Sequence, residues 1–392
     1  MEATPKKKPQ KMVSLFAGIG GFELAFQKIG VKTTLVCEID SIAQHILRRQ
    51  IPQAKITSDI CELSNIPNDT DILCAGFPCQ DLSSVGAKAG LNGTRSSLVR
   101  EVFRLLQTQK VEWVIFENVS FMLSLNGGEA IRTIVSELEE LGYSWAYRTV
   151  DSISFLPQHR CRVFVVASLH NDPRDVILSE DYKQRIGKVN FDSFDKPIGF
   201  YWTEGKNALG MIEDGLPTLK AGSTIGIASP PAIAFPNGEV SVPDIRDAER
   251  LQGFPADWTL PAEEIAKASI RWKLVGNAVT VNTVAWIANK LINPVSYDSS
   301  KDKELVIEEN GKWPNAAWGG EGKRYVSLAS KYPTSGHGVS LTSFLKYPCK
   351  PLSLKASKGF EKRLLEGRMR YPDYFRRTIH QYIKSLEEQN NG

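Results

Sequence analysis

The sequence predicts an α/β fold: a parallel sheet with crossover helices, then a region of short strands and loops, then a basic C-terminal extension. Three observations predict it. Through the first 170 residues, apolar β-rich runs alternate with helical patterns, the order that crossover-connected strands produce. A Gly-rich turn, Phe16-Ala17-Gly18-Ile19-Gly20-Gly21, stands where the first run gives way to the first helical pattern. Gly and Pro punctuate residues 169–245, among them Gly210, Pro217, Gly222, Pro230, Pro231 and Gly238, as short strands and loops require.

Taken in order, Met12–Ala17 reads as a strand, Phe22–Ile29 as a helix and Thr33–Cys37 as the next strand. Ser41–Arg49 is helical, Asp71–Cys74 a strand and Ser97–Thr108 an amphipathic helix. Trp113–Phe116 reads as a buried strand. Ala130–Leu141 follows as a helix, with apolar residues at 131, 134, 135, 138 and 141 on one face. Tyr147–Val150 and Arg162–Ala167 complete the sheet. Helical patterning resumes over Ile245–Leu251 and Val279–Leu291. A polar, charge-mixed stretch after Asn293 reads as a linker, and a final helix is expected over Tyr374–Glu387.

Composition narrows the class. At 392 residues, 42% hydrophobic and 23% charged, the chain is ordinary globular material able to bury a large core. No apolar run approaches the roughly 20 residues of a membrane span, and no signal-peptide stretch opens the chain. Lys6, Lys7, Lys8 and Lys11 make residues 1–11 a flexible basic arm, a solvated tail more than a nuclear signal. Six cysteines form neither a CxxC pair nor a zinc-spaced cluster. That fits a reducing cytoplasm without disulfides or metal. The net charge of +4 is uneven: Lys331 to Lys384 holds twelve Lys/Arg against three Asp/Glu, leaving −5 for the rest. A polyanion is expected on that C-terminal stretch.

Chemistry concentrates at predicted strand ends. The glycines of the first turn allow close backbone approach to a ligand, and the helix that follows offers free N–H groups. Glu38, 20 residues after Gly18, is placed to accept ribose hydroxyls, and Asp59 to meet an adenine edge. A dinucleotide and S-adenosylmethionine both fit this turn. Gly76-Phe77-Pro78-Cys79-Gln80 puts Cys79 in a loop at the same end of the sheet, where a partly ionised thiol can act as a nucleophile. A buried structural role suits Cys37 and Cys74 better. Glu117, in Glu117-Asn118-Val119, reaches that end too, partly withdrawn from water and suited to proton transfer. Gln158-His159-Arg160-Cys161-Arg162 adds two guanidiniums.

The ordered series FAGIGG, Glu38, GFPCQ, ENV, QHRCR, RDAERLQGFP (246–255) and GNAV (276–279) resembles the DNA cytosine-5 methyltransferase family over residues 12–291. That resemblance implies a Rossmann-like, S-adenosylmethionine-dependent methyltransferase acting on cytosine carbon 5 in double-stranded DNA. It implies that Cys79 attacks carbon 6 of a base flipped out of the duplex, that Glu117 engages N3 and that Arg162 holds the base, with Arg160 a second candidate. Phe16, Gly18, Gly20, Glu38, Ile39, Asp59, Ile60, Leu98, Asn277 and Val279 match cofactor-contacting positions. Ser14 stands where the family usually has Asp, and Gly93-Thr94-Arg95-Ser96-Ser97 departs from a DxRG-type run. Tuned affinity is the expected result.

The layout expected is a basic arm over 1–11, a catalytic domain over 12–168 with 245–292, a short target-recognition region over 169–244, and a basic region over 300–392. Gln80, Ser83 and Thr218 are candidate DNA contacts, Thr218 lying in a Thr-Leu element of the kind that ends such regions. Arg368, Arg370, Arg376 and Arg377, interleaved with Tyr371, Tyr374 and Phe375, suit phosphate and base-edge contact. A restriction or defence component is the candidate partner and the nucleoid the candidate location. Two competing readings are a tRNA cytosine-5 methyltransferase, whose Cys-Phe-Thr tripeptide is missing here, and a DNA-binding regulator without chemistry.

Overall fold

The structure is a computed structural model that describes residues 8–78, 98–184, 186–204, 209–222, 230–306 and 311–391. Cys79, Gln80 and Ser83 lie outside the described residues, as do Lys6, Lys7 and Ser97. In chain order the first elements are β1 (Lys11–Leu15), α1 (Gly21–Gln27), β2 (Lys32–Cys37), α2 (Ser41–Gln50), β3 (Lys55–Thr57) and β4 (Ile72–Ala75). Then come α3 (Leu98–Thr108), β5 (Trp113–Val119), α4 (Glu129–Glu140), β6 (Ser144–Asp151), β7 (Cys161–Ser168) and α5 (Arg174–Ile177). The middle of the chain forms β8 (Ile198–Phe200), β9 (Ile212–Glu213), β10 (Ala232–Ala234), β11 (Val240–Val242), α6 (Ile245–Leu251), α7 (Ile270–Asn277) and α8 (Val281–Ile292). Last are β12 (Lys303–Glu304), β13 (Ala316–Gly320), β14 (Lys323–Val326), α9 (Leu341–Phe344), β15 (Lys350–Pro351), α10 (Leu354–Glu366) and α11 (Asp373–Asn391).

Two compact units result, one from 1–151, 161–183 and 281–334, the other from 152–160, 184–280 and 335–392. The first holds a ten-stranded sheet in the order β12-β14-β13-β6-β7-β5-β4-β1-β2-β3. Strands β3, β2, β1, β4 and β5 run parallel, as expected. Beyond β5 the expectation of a parallel sheet fails, because β7 is antiparallel to both β5 and β6. Only residues 152–160 link β6 to β7, and a parallel return needs a crossover of about a dozen residues or more. Alternation along β1 sends Val13 and Leu15 into a core with Val102 and Leu106 of α3 and Ile134 and Leu138 of α4.

The stretch after Asn293, expected as a linker, is part of this unit. β13 pairs with β6, Ala317 opposite Tyr147, and so extends the sheet. Trp313, 1% exposed, packs against Trp145 and Tyr147 with ring centroids 6.5 and 6.2 Å away. Gly128 sits at φ 74°, where a Cβ would collide with the Trp313 ring. A Trp in a polar run carries no periodicity, so only the packing revealed its role. Arg148, fully buried on β6, ties down the same region. Its guanidinium donates to the carbonyls of Ser330 (2.6 Å) and Glu180 (2.6 Å) and to Asp181 Oδ1 (2.9 Å).

The second unit is built on an antiparallel sheet in the order β15-β11-β10-β8-β9. Ala232 and Ala234 of β10 face Phe360, Leu364, Phe375 and Ile379 of α10 and α11. Ile233, between them, faces Ala248, Leu251 and Val275 of α6 and α7, the period-two alternation of a sheet covered on both sides. Pro351, which lacks an N–H, is tolerated because β15 is an edge strand. Residues 300–392, expected as one region, are thus divided: 303–326 join the large sheet, and 341–391 close the core of the smaller one. The helices over 245–277, expected with the catalytic domain, cover the smaller sheet as well.

Trp313→Ala is expected to lower unfolding stability by about 3–5 kcal/mol in urea titration. Trp313→Phe costs much less, because Trp313 Nε1 has no hydrogen-bond partner among the described residues. A change under about 1 kcal/mol for the alanine variant would return this segment to linker status.

Candidate active site

The Gly-rich turn leaves β1 through backbone that most side chains avoid. Phe16 (φ 57°), Gly18 (φ 56°) and Gly20 (φ 93°) are all left-handed, and Phe16 is the one without a glycine's freedom. Glu38, just beyond β2, fastens this turn. Its Oε2 accepts the Gly18 N–H at 2.7 Å and its Oε1 accepts the Asp40 N–H at 2.8 Å. Burial raises the Glu38 pKa, and the bonds from Asp40 and Gly18 oppose that rise. Each oxygen keeps acceptor capacity for a ligand hydroxyl.

Neighbouring candidates are held by local capping. Asp40 caps α2 through Ile42 N (2.9 Å) and Ala43 N (3.0 Å). Asp59 caps the short turn over Ile60–Glu62, accepting from Cys61 N at 2.9 Å. Ile60 is buried and its carbonyl accepts from Arg104 Nη2 at 3.1 Å. Ile39, by contrast, is 74% exposed, a large apolar side chain open to a flat ligand surface. Phe16 and Leu98 pack half-buried against the large core.

A second group stands at the ends of β4 and β5. Phe77 is buried edge-on against Phe116 with centroids 5.7 Å apart, and Asn118 Nδ2 donates to the Phe77 carbonyl at 3.0 Å. Those contacts position the chain up to Pro78, the residue before Cys79. Glu117 and Arg162 meet diagonally across β5 and β7, where Val119 lies opposite Arg162 and Glu117 opposite Phe164. Arg162 Nε is 3.1 Å from Glu117 Oε1, and both side chains are mostly covered. Glu117 Oε1 is nevertheless buried without a hydrogen bond among the described residues. Gly76 joins the two groups: a Cβ there would lie 3.6 Å from Glu117 Oε2 and 4.0 Å from the Phe16 carbonyl. The cofactor-type turn and the Glu117–Arg162 pair therefore border one glycine.

The remaining candidates lie in the second unit. Arg160 is 2% exposed and donates to the carbonyls of Leu219 (3.2 Å), Gly276 (3.2 Å) and Ala278 (2.8 Å). Its guanidinium binds distant backbone, whereas the partly exposed Arg162 donates only to the adjacent Cys161 carbonyl, at 2.8 Å, among the described backbone groups. Gln158 does similar work, donating to the Leu251 carbonyl at 2.7 Å and accepting from Leu219 N at 3.0 Å. Thr218 donates its hydroxyl to the His159 carbonyl at 2.8 Å. Asn277 ends α7 exposed and Val279 is half-buried. Gly276 is needed before them, since a Cβ would strike the Lys220 backbone. Arg368, Arg370, Arg376 and Arg377 are exposed.

One group escaped sequence reasoning. Glu23, in the first turn of α1, is 2% exposed and neither carboxyl oxygen has a hydrogen bond among the described residues. Burial dominates and pushes its pKa up to about 7, although Ser14 on β1 lies near enough to favour the charged form. The signal was present in Phe22-Glu23-Leu24-Ala25-Phe26, where a Glu sits among residues that all but Leu24 bury.

Comparison with known proteins bears on the family and the fold. Residues 10–209 match the family model for C-5 cytosine-specific DNA methylase. The chain is 43% identical to the Type II methyltransferase M2.BsuMI of Bacillus subtilis (strain 168), over 96% of this chain and 97% of that one. It is 25% identical to the Type II methyltransferase M.HhaI of Haemophilus parahaemolyticus, over 73% of this chain and 95% of the other. Among solved structures, the Entamoeba histolytica methyltransferase EhMeth superposes with a TM-score of 0.54 at 16% identity, covering 73% of this chain and 99% of its own. A mutant of Spodoptera frugiperda DNMT2 gives 0.52 at 15% identity, covering 72% and 99%. At such low identity these two structures speak for the fold alone.

Glu23 makes a pH-dependent prediction. Its folded pKa lies above the unfolded value, so stability falls as pH rises from about 4.5, where the unfolded chain ionises, to about 7, where the folded chain does. Glu23→Gln, which cannot ionise, is expected to match the parent near pH 4 and exceed it by up to about 3 kcal/mol above pH 7. Denaturant unfolding at both pH values measures this, and equal differences at both would contradict it.

Proposed function

The chain belongs to the C-5 cytosine-specific DNA methylase family, and on that premise we propose which of its residues carry the reaction. It transfers a methyl group from S-adenosylmethionine to carbon 5 of cytosine in DNA. The single observation that carries the residue assignment is the mostly covered Glu117–Arg162 pair bordering Gly76, which also borders the left-handed turn at Phe16.

S-adenosylmethionine supplies a methyl group made electrophilic by its sulfonium. The residues present suit it. Glu38 keeps acceptor capacity for two ribose hydroxyls, Ile39 offers an exposed apolar face to the adenine, and Asp59 an edge acceptor. The Phe16, Gly18 and Gly20 backbone leaves room for close approach, with Ile60, Leu98, Asn277 and Val279 as further contacts. Cys79 adds as a thiolate to cytosine carbon 6. Glu117, fixed by Arg162, holds N3 and steadies the proton there while the ring's electron pair moves to carbon 5. Carbon 5 would then take the methyl group as the methyl–sulfur bond breaks, the bonding pair staying on sulfur so that the cofactor leaves as a neutral thioether. Loss of the carbon 5 proton to a base restores the double bond and expels the thiolate. Because carbon 6 is shielded inside a stacked duplex, the base is flipped out first. Arg160 acts through the backbone it binds, as a positioning residue.

DNA recognition is assigned to the second unit, including its C-terminal helices. Gln80 and Ser83 lie beside the nucleophile in sequence, Thr218 borders the recognition region, and Arg368, Arg370, Arg376 and Arg377 face outward. The relatives' names as Type II methyltransferases support a modification enzyme paired with a restriction or defence component. No described helix is long and apolar enough to cross a membrane.

Cys79→Ser is expected to abolish methyl transfer from labelled cofactor to duplex DNA, and Glu117→Gln to lower kcat by about 10²–10⁴. Total tRNA serves as the competing substrate. Label in tRNA but not in duplex DNA, or undiminished transfer by Cys79→Ser, would overturn the reading. Glu38→Gln is expected to raise the KM for S-adenosylmethionine by about 10- to 100-fold, as for a lost charged hydrogen bond, with a smaller change in kcat. An unchanged KM would remove Glu38 from the cofactor site.

A further inference from the structure

The positive charge of the C-terminal stretch is not all available to a polyanion. Lys358 is paired with Glu387 at 2.6 Å and His380 Nδ1 with Glu361 at 2.8 Å, while Lys362 lies 3.9 Å from Glu366. Arg363 donates to the Trp202 carbonyl at 2.5 Å. Arg368 and Arg370, in the turn between α10 and α11, have no carboxylate partner among the described residues, and neither do Arg376 and Arg377 on α11.

Arg368 and Arg370 line a cleft of about 480 Å³ together with Lys188, Phe191 and Met211. Three of its described lining residues are cationic and none is acidic. The Arg370 guanidinium lies over the Phe191 ring, 5.2 Å from its centroid. That stack orients the fork and leaves its N–H edges without a hydrogen-bond partner among the described residues. The loop carrying Lys188 and Phe191 is itself pinned. Tyr374 stacks on Phe194 at 5.0 Å and donates its hydroxyl to the Asn190 carbonyl, and Asn190 N donates to Glu213 Oε2 at 2.6 Å. At Gly187 (φ 72°) a Cβ would stand 2.6 Å from Ile153 Cδ1, so only glycine lets this loop sit so close. Asp192 and Asp195 lie toward Tyr374 and do not line the cleft.

We propose that this cleft grips the sugar-phosphate backbone of duplex DNA, with Lys188, Arg368 and Arg370 contacting phosphates and contributing affinity without reading sequence. The proposal rests on the reading that the second unit engages DNA. A concave site with three converging cations and an oriented guanidinium suits a phosphate diester. Base-edge reading requires side chains that project into a groove, and these converge on a hollow instead.

The test is equilibrium binding of the full chain to duplex DNA across a salt series, with Lys188→Ala, Arg368→Ala and Arg370→Ala. Two duplexes are used, one carrying a site identified by bisulfite sequencing and one unrelated. Each substitution is expected to weaken both duplexes alike and to make the slope of log K against log salt shallower by about 0.9. The bisulfite pattern stays unchanged. Arg370→Lys, which keeps the charge, retains the parental slope. Unchanged slopes for all three alanine variants overturn the proposal, and so does altered site choice at constant slope, which would mean base reading. Arg376→Ala/Arg377→Ala separates the two levels of inference. If it alone changes the slope, the cleft is wrong while DNA binding by the C-terminal helices stands; if nothing changes it, both fail.

Discussion

The contact between the Glu117 carboxyl and the Arg162 guanidinium depends on one feature, the antiparallel pairing of β7 with β5. Glu117 follows the buried run Trp113–Phe116 of a parallel strand, and a parallel neighbour would have brought its own carboxyl end to the same edge. The reversed β7 brings its first residues there instead, with Val119 opposite Arg162. A cation therefore reaches a carboxyl that burial alone would leave uncompensated. Asn118, between Glu117 and Val119, points the other way and holds the Phe77 carbonyl. One strand end thus fixes both a covered carboxyl and the segment that leads to Cys79.

Two buried charges show how differently this protein treats ions away from water. Arg148 is surrounded by carbonyls and Asp181, yet desolvation still lowers its pKa to about 10. Its bonds draw residues 177–181 and 330 onto β6, which is structural work. Glu23 has no such shell among the described residues. It lies in the first turn of the helix that follows the cofactor-type turn, where burial favours the neutral carboxyl over the charged one. Ser14, the departure from the family's usual Asp, lies near enough to Glu23 to influence its ionisation.

The C-terminal region is less separate than its composition suggests. The stretch expected as a polar linker supplies Trp313 and three strands that extend the large sheet, and the basic tail supplies about half of another core. Phe360, Leu364, Phe375 and Ile379 cover β8 and β10, so α10 and α11 are structural as well as charged. That dual role explains why the unpaired guanidiniums gather at the turn between the helices and on the outer face of α11.

Local chemistry along the chain determined much of this protein. The strand–turn–helix at residues 12–27, Glu38 and Asp59 at successive strand ends, and Glu117 after a buried apolar run were all readable, because each depends on neighbours a few residues away. The helix at Ile245–Leu251 matches to the residue, since its capping Asp244 and apolar spacing are local signals. Tertiary structure decided what depends on distant partners: the reversal of β7, the burial of Trp313, the binding of Arg160 to carbonyls 59 to 118 residues away in sequence, and the cleft shared by Lys188 and Arg370. Strand direction, ring packing and the fate of a guanidinium follow from which segments meet in space, and no local pattern of side chains carries that information.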